Sequence, residues 1–199
     1  MTAVGEPPVP VRSPEHRVGV TEILVVCQAN RCRSPFEAEI LRLLADDSVR
    51  VHSGGLMAGG APMPAAGVRA GELLGLDFSA HRSRELDRSD LRGFDLILTM
   101  ARAQSREIVA ADAALTDRTF TIRQFGRWIQ AHVKSPHMSL DGWLATVAAQ
   151  RSPDEFVGDD DADDIADPIA APVARWIDMA SELTELSERV AGALGARPA

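Results

Sequence analysis

What this chain can become is narrowed first by a short unbroken apolar run, Ile23-Leu24-Val25-Val26, that closes on Cys27 and leads through a polar loop to Ser34-Pro35. Four apolar residues without alternation suit a strand buried on both faces, the setting of a parallel sheet. Ser is a good N-cap and Pro fits the first helical position. Phe36, Ile40, Leu43 and Leu44 then recur at helical spacing. The rest of the chain repeats the alternation. Val49–Ser53 reads as a second strand, Pro64–Leu74 as a helix and Phe94–Met100 as a third strand. Ala101–Ala111 reads as a helix and Thr119–Phe125 as a fourth strand. Strands alternating with helices imply βαβ units, hence a parallel sheet with helices on both faces.

The remainder is less regular. Leu140–Ala149 reads as an extra helix, and Val173, Trp176, Ala180, Leu183, Leu186, Val190 and Leu194 mark a long amphipathic helix that Gly195 ends. Between them, Asp154–Asp167 holds eight acidic residues and no Lys or Arg. The chain carries 29 acidic and 21 basic residues, so its net charge of −8 sits in that one segment. Such a balance excludes a general nucleic-acid or anionic-membrane binder, and no apolar run approaches the roughly 20 residues that span a bilayer. Residues 1–20, rich in Pro and without periodicity, are expected to be a flexible tail with no signal-peptide pattern. Two cysteines, Cys27 and Cys32, cannot build a disulfide framework or a four-cysteine zinc site. The expected setting is cytoplasmic, with reduced thiols and no metal or organic cofactor.

Ligands of open parallel sheets bind beyond the carboxyl ends of strands, at helix N-termini. The loop after the first strand reads Cys27-Gln28-Ala29-Asn30-Arg31-Cys32-Arg33-Ser34. Five residues between Cys27 and Arg33 can wrap backbone N–H groups around one tetrahedral anion. Arg33 can hold two of its oxygens bidentately. The same positive field favours a thiolate at Cys27, placed beneath the phosphoryl group for in-line attack. Ser34 can donate to that thiolate. An isolated cysteine at a strand end is ordinarily a small core residue, but here strand, loop, arginine and helix start occur together.

This loop resembles the phosphate-binding loop of low-molecular-weight protein tyrosine phosphatases, whose pattern is Cys, five residues, Arg, Ser. His81-Arg82-Ser83-Arg84 resembles a His-x-x-Arg segment of that family, and Phe94–Met100 resembles the strand before its third helix. Asp167-Pro168 resembles its general-acid motif. Phe125-Gly126-Arg127-Trp128 is similar to a segment of bacterial members that regulate exopolysaccharide export. Residues 21–190 align in order, with an insertion at about 129–160. The resemblance implies a three-layer α/β/α domain over residues 21–195, with a central four-stranded parallel sheet of order 2-1-3-4. It implies Cys27 as the nucleophile that becomes phosphocysteine, Arg33 as the phosphoryl ligand and Asp167 as general acid and then base. Gln28, Ala29, Asn30, Arg31, Cys32 and Ser34 complete the loop, and Asn30, Ser34, Ser53 and His81 form the network that shapes it. Cys32 matches a family position whose thiol forms a reversible disulfide with the nucleophile; an inert buried thiol is the other reading. The implied substrate is a phosphotyrosine protein, a bacterial tyrosine kinase or exopolysaccharide-export protein, with no nucleic-acid partner and no membrane insertion.

Several positions depart from the pattern. Arg31 stands where a small or aliphatic residue is usual, and a cation there disfavours a guanidinium leaving group, so phosphoarginine ranks below phosphotyrosine. Ala101 replaces an acid at a helix start. Ile169 and Ala170 replace aromatic residues that flank the substrate ring, leaving Trp128 or Trp143 as candidate walls. The acidic segment reads either as a solvated loop or as a field keeping Asp167 protonated. Two other functions stay open: an arsenate reductase on the same scaffold using an external thiol, and a phosphoprotein-binding module without turnover.

Overall fold

The computed structural model describes residues 10–12, 14–15, 19–135, 137–156 and 158–195. Strand β1 (Thr21–Cys27) lies at the centre, with Ile23 to Val26 fully buried. It pairs in parallel with β2 (Val49–Gly55) on one side and β3 (Leu96–Thr99) on the other. β4 (Thr119–Thr121) pairs in parallel with β3, giving the order β2-β1-β3-β4. Alternate residues of β1 serve opposite faces, as the pleat requires. Ile23, Val25 and Cys27 join a core with Phe36, Trp176 and Leu183. Leu24 and Val26 join a second core with Leu56, Phe94 and Ile108. Helices cover both faces, so the expected three-layer order 2-1-3-4 is what forms.

The described residues form six α-helices, five at the places the sequence suggests and α4 in addition: α1 (Arg33–Leu44), α2 (Ala65–Leu73), α3 (Arg102–Ala111), α4 (Ile122–Ala131), α5 (Leu140–Ala148) and α6 (Val173–Leu194). α6 crosses the first face, and its Trp176 lies 6.0 Å from the Phe36 ring of α1. A Cβ at Gly67 of α2 would come within 2.4 Å of that indole, so close packing of α2 on α6 requires the glycine.

The fourth strand is shorter than the Thr119–Phe125 expected from its β-branched and aromatic residues. Thr121 ends it: its hydroxyl accepts from the Gln124 amide while Gln124 Oε1 accepts from the Thr121 amide, a capping box that starts α4. β2 runs two residues beyond Ser53, to Gly55.

The insertion forms a cap on the β4 edge of the sheet. Trp143 of α5 is buried, meets Phe125 edge-on at 5.8 Å and donates Nε1–H to the His132 carbonyl at 2.7 Å. Arg151 donates to the carbonyls of Thr116 and Thr119 and lies over the Phe120 ring.

Two expectations for charged or polar segments are corrected. Val11, inside the stretch read as a flexible tail, is buried and forms a parallel bridge with Leu86; one apolar residue between Pro10 and Arg12 gives periodicity nothing to detect. Residues 1–9, 13 and 16–18 of that stretch lie outside the described residues. The acidic segment is solvated only in part, with Asp154, Asp159 and Asp161 exposed. Asp163 is fully buried and accepts from Arg102 Nε at 2.5 Å, from Gln124 Nε2 at 2.8 Å and from Arg127. Asp160 pairs with Arg102, and Asp159 with Arg106. Three of the charges that look unpaired along the chain, Asp159, Asp160 and Asp163, are paired in space by arginines of α3 and α4.

Candidate active site

The loop between β1 and α1 is shaped by Asn30. Its φ of +49° lies in the left-handed region, which Asn tolerates better than most residues. Burial of Asn30 is complete, and each of its polar groups has a partner. Nδ2 donates to Ser34 Oγ at 3.0 Å and Ser53 Oγ at 3.1 Å, and Oδ1 accepts from the Arg84 amide at 3.0 Å. The Asn30 carbonyl accepts from His81 Nε2 at 2.7 Å, which fixes the proton on that nitrogen. Burial lowers the pKa of His81 and so favours this neutral ring, against the hydrogen bond to Asn30, which raises it. Gly55 closes the arrangement: a Cβ there would come within 2.7 Å of the Ala29 and Asn30 backbone. The expected network of Asn30, Ser34, Ser53 and His81 is thus brought together. Sequence reading missed the Arg84 backbone amide, since His-x-x-Arg draws attention to a side chain rather than to an N–H.

Cys27 ends β1 beneath this loop. Its Sγ accepts from Ser34 Oγ at 3.1 Å and from the Asn30 amide at 3.2 Å. Two donors converging on one sulfur stabilise negative charge on it. Ser34 is not the N-cap its sequence position suggests. α1 starts two residues earlier than that, at Arg33, with Cys32 at the cap and no side-chain cap bond. The Ser34 hydroxyl turns inward to Cys27 and to the Gly54 carbonyl instead. The N-terminal amides of α1 therefore keep their positive field for an anion.

Arg33 is 7% exposed and its guanidinium spans from the loop to the segment before α6. One terminal nitrogen donates to the Ile165 carbonyl at 3.0 Å and the other to Asp167 Oδ2 at 2.5 Å. Its Nε is buried without a hydrogen-bond partner. A buried guanidinium N–H without an acceptor beside an uncapped helix start is the signature of an anion site. Asp167 is placed by its own turn, with Oδ1 accepting from the Ile169 amide at 3.1 Å, and by buried Pro168 and Ile165.

Asp164, three residues earlier, accepts from the Arg102 amide at 2.8 Å. This carboxylate caps α3 from outside and replaces the acid missing at Ala101. Burial raises the Asp164 pKa, and the Arg102 bond opposes that. The idea that acidic neighbours tune Asp167 loses its basis, because Asp163 faces Arg102 and Arg127, and Asp164 faces α3.

Cys32 is buried with its thiol 3.8 Å from Met179 Sδ. Burial, and then the Asp167 charge, raise its pKa far above that of an ordinary thiol. Both cysteines are free. Of the rim residues, Gln28 is exposed and Ala29 and Arg31 are half-buried. Arg31 donates Nε–H to the Pro62 carbonyl at 2.8 Å. Neither tryptophan serves as the expected wall: Trp143 belongs to the cap, and the Trp128 ring is tilted against His132 at 5.7 Å. Near the loop the exposed apolar side chains are Met57, whose amide donates to the Gln28 carbonyl, and Ile169 beside Asp167.

A sequence profile of the family described as low molecular weight phosphotyrosine protein phosphatase matches residues 22–147. The chain belongs to this family. It is 36% identical over 143 residues to a probable low molecular weight protein-tyrosine-phosphatase, EpsP, from Ralstonia solanacearum, covering 69% of this chain and 94% of that one. Its fold superposes on the YwlE arginine phosphatase from Geobacillus stearothermophilus with a TM-score of 0.62 at 26% identity, over 86% of this chain and 91% of that one. A low molecular weight protein tyrosine phosphatase from T. tengcongensis gives a TM-score of 0.62 at 25% identity, over 85% and 97%. The profile match stops before Asp167, which the hydrogen bond from Arg33 brings to the loop.

Proposed function

We propose that the chain is a cysteine-dependent phosphatase that hydrolyses phosphotyrosine in proteins through a phosphocysteine intermediate. The observation that carries this reading is the convergence on one loop of a doubly hydrogen-bonded Cys27 sulfur, an uncapped helix start and the unpartnered Arg33 Nε. A phosphoryl dianion entering the loop competes with Asp167 for Arg33 and releases that carboxyl toward the leaving oxygen. Cys27 Sγ forms the S–P bond as the P–O bond to the phenol breaks. Asp167 gives its proton to the departing oxygen and Arg33 holds the equatorial oxygens. Water then attacks phosphorus, Asp167 takes its proton, the S–P bond breaks and phosphate leaves. Ser34 donates to the sulfur as it departs. No step needs a metal or an organic cofactor.

Phosphotyrosine is favoured over phosphoarginine by Arg31. Its bond to Pro62 holds a cation at the rim, where a guanidinium leaving group is repelled and acidic flanking residues are attracted. The proposed partner is a tyrosine-phosphorylated protein of a bacterial kinase or exopolysaccharide-export system, met in the cytoplasm. No helix of the described residues is long and apolar enough to cross a membrane. Arsenate reduction is not favoured, since the relatives above carry phosphatase names and Cys32, the second thiol, is held protonated by burial. The same burial makes Cys32 a slow partner for an oxidised Cys27, and peroxide treatment with peptide mapping tests for the proposed reversible disulfide.

The deciding experiment is hydrolysis of p-nitrophenyl phosphate between pH 4.5 and 8 under reducing conditions, followed by phosphotyrosine and phosphoarginine peptides. Turnover that vanishes in Cys27→Ser with fold retained is expected. A phosphate-binding protein without turnover, or faster release from phosphoarginine, would overturn the reading.

A further inference from the structure

The family profile begins at residue 22, yet Pro10–Arg12 is built into the fold. The Val11 amide donates to the Glu85 carbonyl at 2.7 Å, and the Asp87 amide donates to the Val11 carbonyl at 3.0 Å. Arg12 Nε adds an ion pair to Asp87 at 3.3 Å. These bonds make Val11 the outermost member of a pair of parallel bridges, Val11 to Leu86 and Glu85 to Gly55, that lies beside the end of β2. Inside Val11, residues 84–87 pair with the end of β2: the Gly55 amide donates to the Arg84 carbonyl at 2.9 Å and the Leu86 amide to the Gly55 carbonyl at 2.8 Å.

The middle member of this arrangement reaches the phosphate loop directly, because the Arg84 amide holds Asn30 Oδ1 and His81 holds the Asn30 carbonyl. The side chains make the same connection. Gly54 has no room for a Cβ, which would meet Leu86 Cδ2 at 2.2 Å and Val11 Cγ2 at 3.4 Å, and the Gly54 carbonyl accepts from Ser34 Oγ. Val11 is 1% exposed at the top of this stack.

We propose that Val11 is a positioning residue for the phosphate-binding loop, clamping residues 84–87 so that Arg84 and His81 hold Asn30 in its left-handed conformation. Residues 84–87 belong to no helix or long strand, so their order depends on pairing at both edges. One edge is Gly55 and the other is Val11. If the outer edge is lost, Leu86 is exposed, the Arg84 amide drifts, and Asn30 no longer fixes its own N–H on Cys27 Sγ. The arm thus acts on phosphate affinity from a site with no contact to the phosphate itself.

This rests on the loop's being a phosphate site, and the test separates the two ideas. Full-length chain, Val11→Asp, Val11→Ile and a truncation lacking residues 1–12 are compared for inhibition of p-nitrophenyl phosphate turnover by inorganic phosphate, and for native-state amide exchange. The expected result is a Ki for phosphate weakened by about two- to thirty-fold in both Val11→Asp and the truncation. Exchange should quicken at the Asn30 and Arg84 amides and stay unchanged across Leu96–Thr99 of β3, with Val11→Ile like the parent. An unchanged Ki, or faster exchange confined to residues 10–12 and 85–87, overturns the proposal. So does a loss of protection that includes β3, which is general destabilisation. If the parent itself shows no phosphate-inhibited turnover, the loop's reading fails instead, and exchange at Asn30 still decides the role of Val11.

Discussion

Glu37 lies on α1, fully buried against α6, where its Oε1 accepts from Ser187 Oγ at 2.7 Å and its Oε2 has no partner. One hydroxyl does not replace the hydration of a carboxylate, and burial raises its pKa from 4.5 to about 8, with the Ser187 bond opposing. The folded chain therefore binds a proton at Glu37 that the unfolded chain releases above pH 4.5. With more protons bound in the folded state, stability falls as pH rises from 4.5 and levels off above about 8. At about 1.4 kcal/mol per pH unit, the loss between pH 5 and 8 amounts to about 3–4 kcal/mol. Glu37→Gln does not titrate, so its stability relative to the parent should climb by that amount across the same interval, whatever its offset at pH 5. Urea unfolding of both chains at pH 5, 6, 7 and 8, in buffers without phosphate because a ligand of the folded state would add its own stabilisation, measures the difference directly. A parent-to-variant difference that stays constant over this interval would show that Glu37 is ionised in the fold, and the desolvation argument would be wrong.

Removal of the Asp167 carboxylate frees Arg33, so Asp167→Ala should lower kcat about 10²–10⁴-fold while tightening the Ki of inorganic phosphate; a weaker Ki would mean that the Arg33–Asp167 pair does not compete with the ligand. Asp163→Ala leaves Arg102 and Arg127 without their buried counter-charge and should destabilise the chain by about 3–5 kcal/mol in urea unfolding; a loss below about 1 kcal/mol would mean that Asp163 is solvated after all. Trp143→Ala empties the centre of the cap and should cost about 3–5 kcal/mol while kcat per folded molecule, measured well below the midpoint, stays at the parent value; a fall in kcat would connect the cap to the site.

The sheet was readable because its signals are local. An apolar run such as Ile23–Val26 is explained by burial on both faces, and the Cys27-to-Arg33 spacing by the size of one tetrahedral anion. What was misread involves partners distant in sequence. Thr119–Phe125 looks like one strand until Thr121 and Gln124 are seen capping each other. Ser34 looks like a cap until Cys27 is beside it. Asp163 looks like one of eight solvated acids, because Arg102, Gln124 and Arg127 stand 61, 39 and 36 residues away. Val11 is a single apolar residue whose partner, Leu86, lies in a segment without periodicity. At the site, residue types predicted the loop and its polar network, while backbone groups such as the Arg84 amide and the Ile165 carbonyl leave no trace in side-chain identity.

The external cap on α3 has a consequence for how this sequence can change over generations. With Ala101 at its own start, the helix borrows Asp164 from the segment that also delivers Asp167. Two duties thus share one short stretch, and drift at position 164 is charged against both. An acid placed at position 101 would release Asp164 from the helix and leave that stretch free to change, so the order of the two substitutions matters: Asp164 lost first leaves the start of α3 without a carboxylate, and lost second it does not.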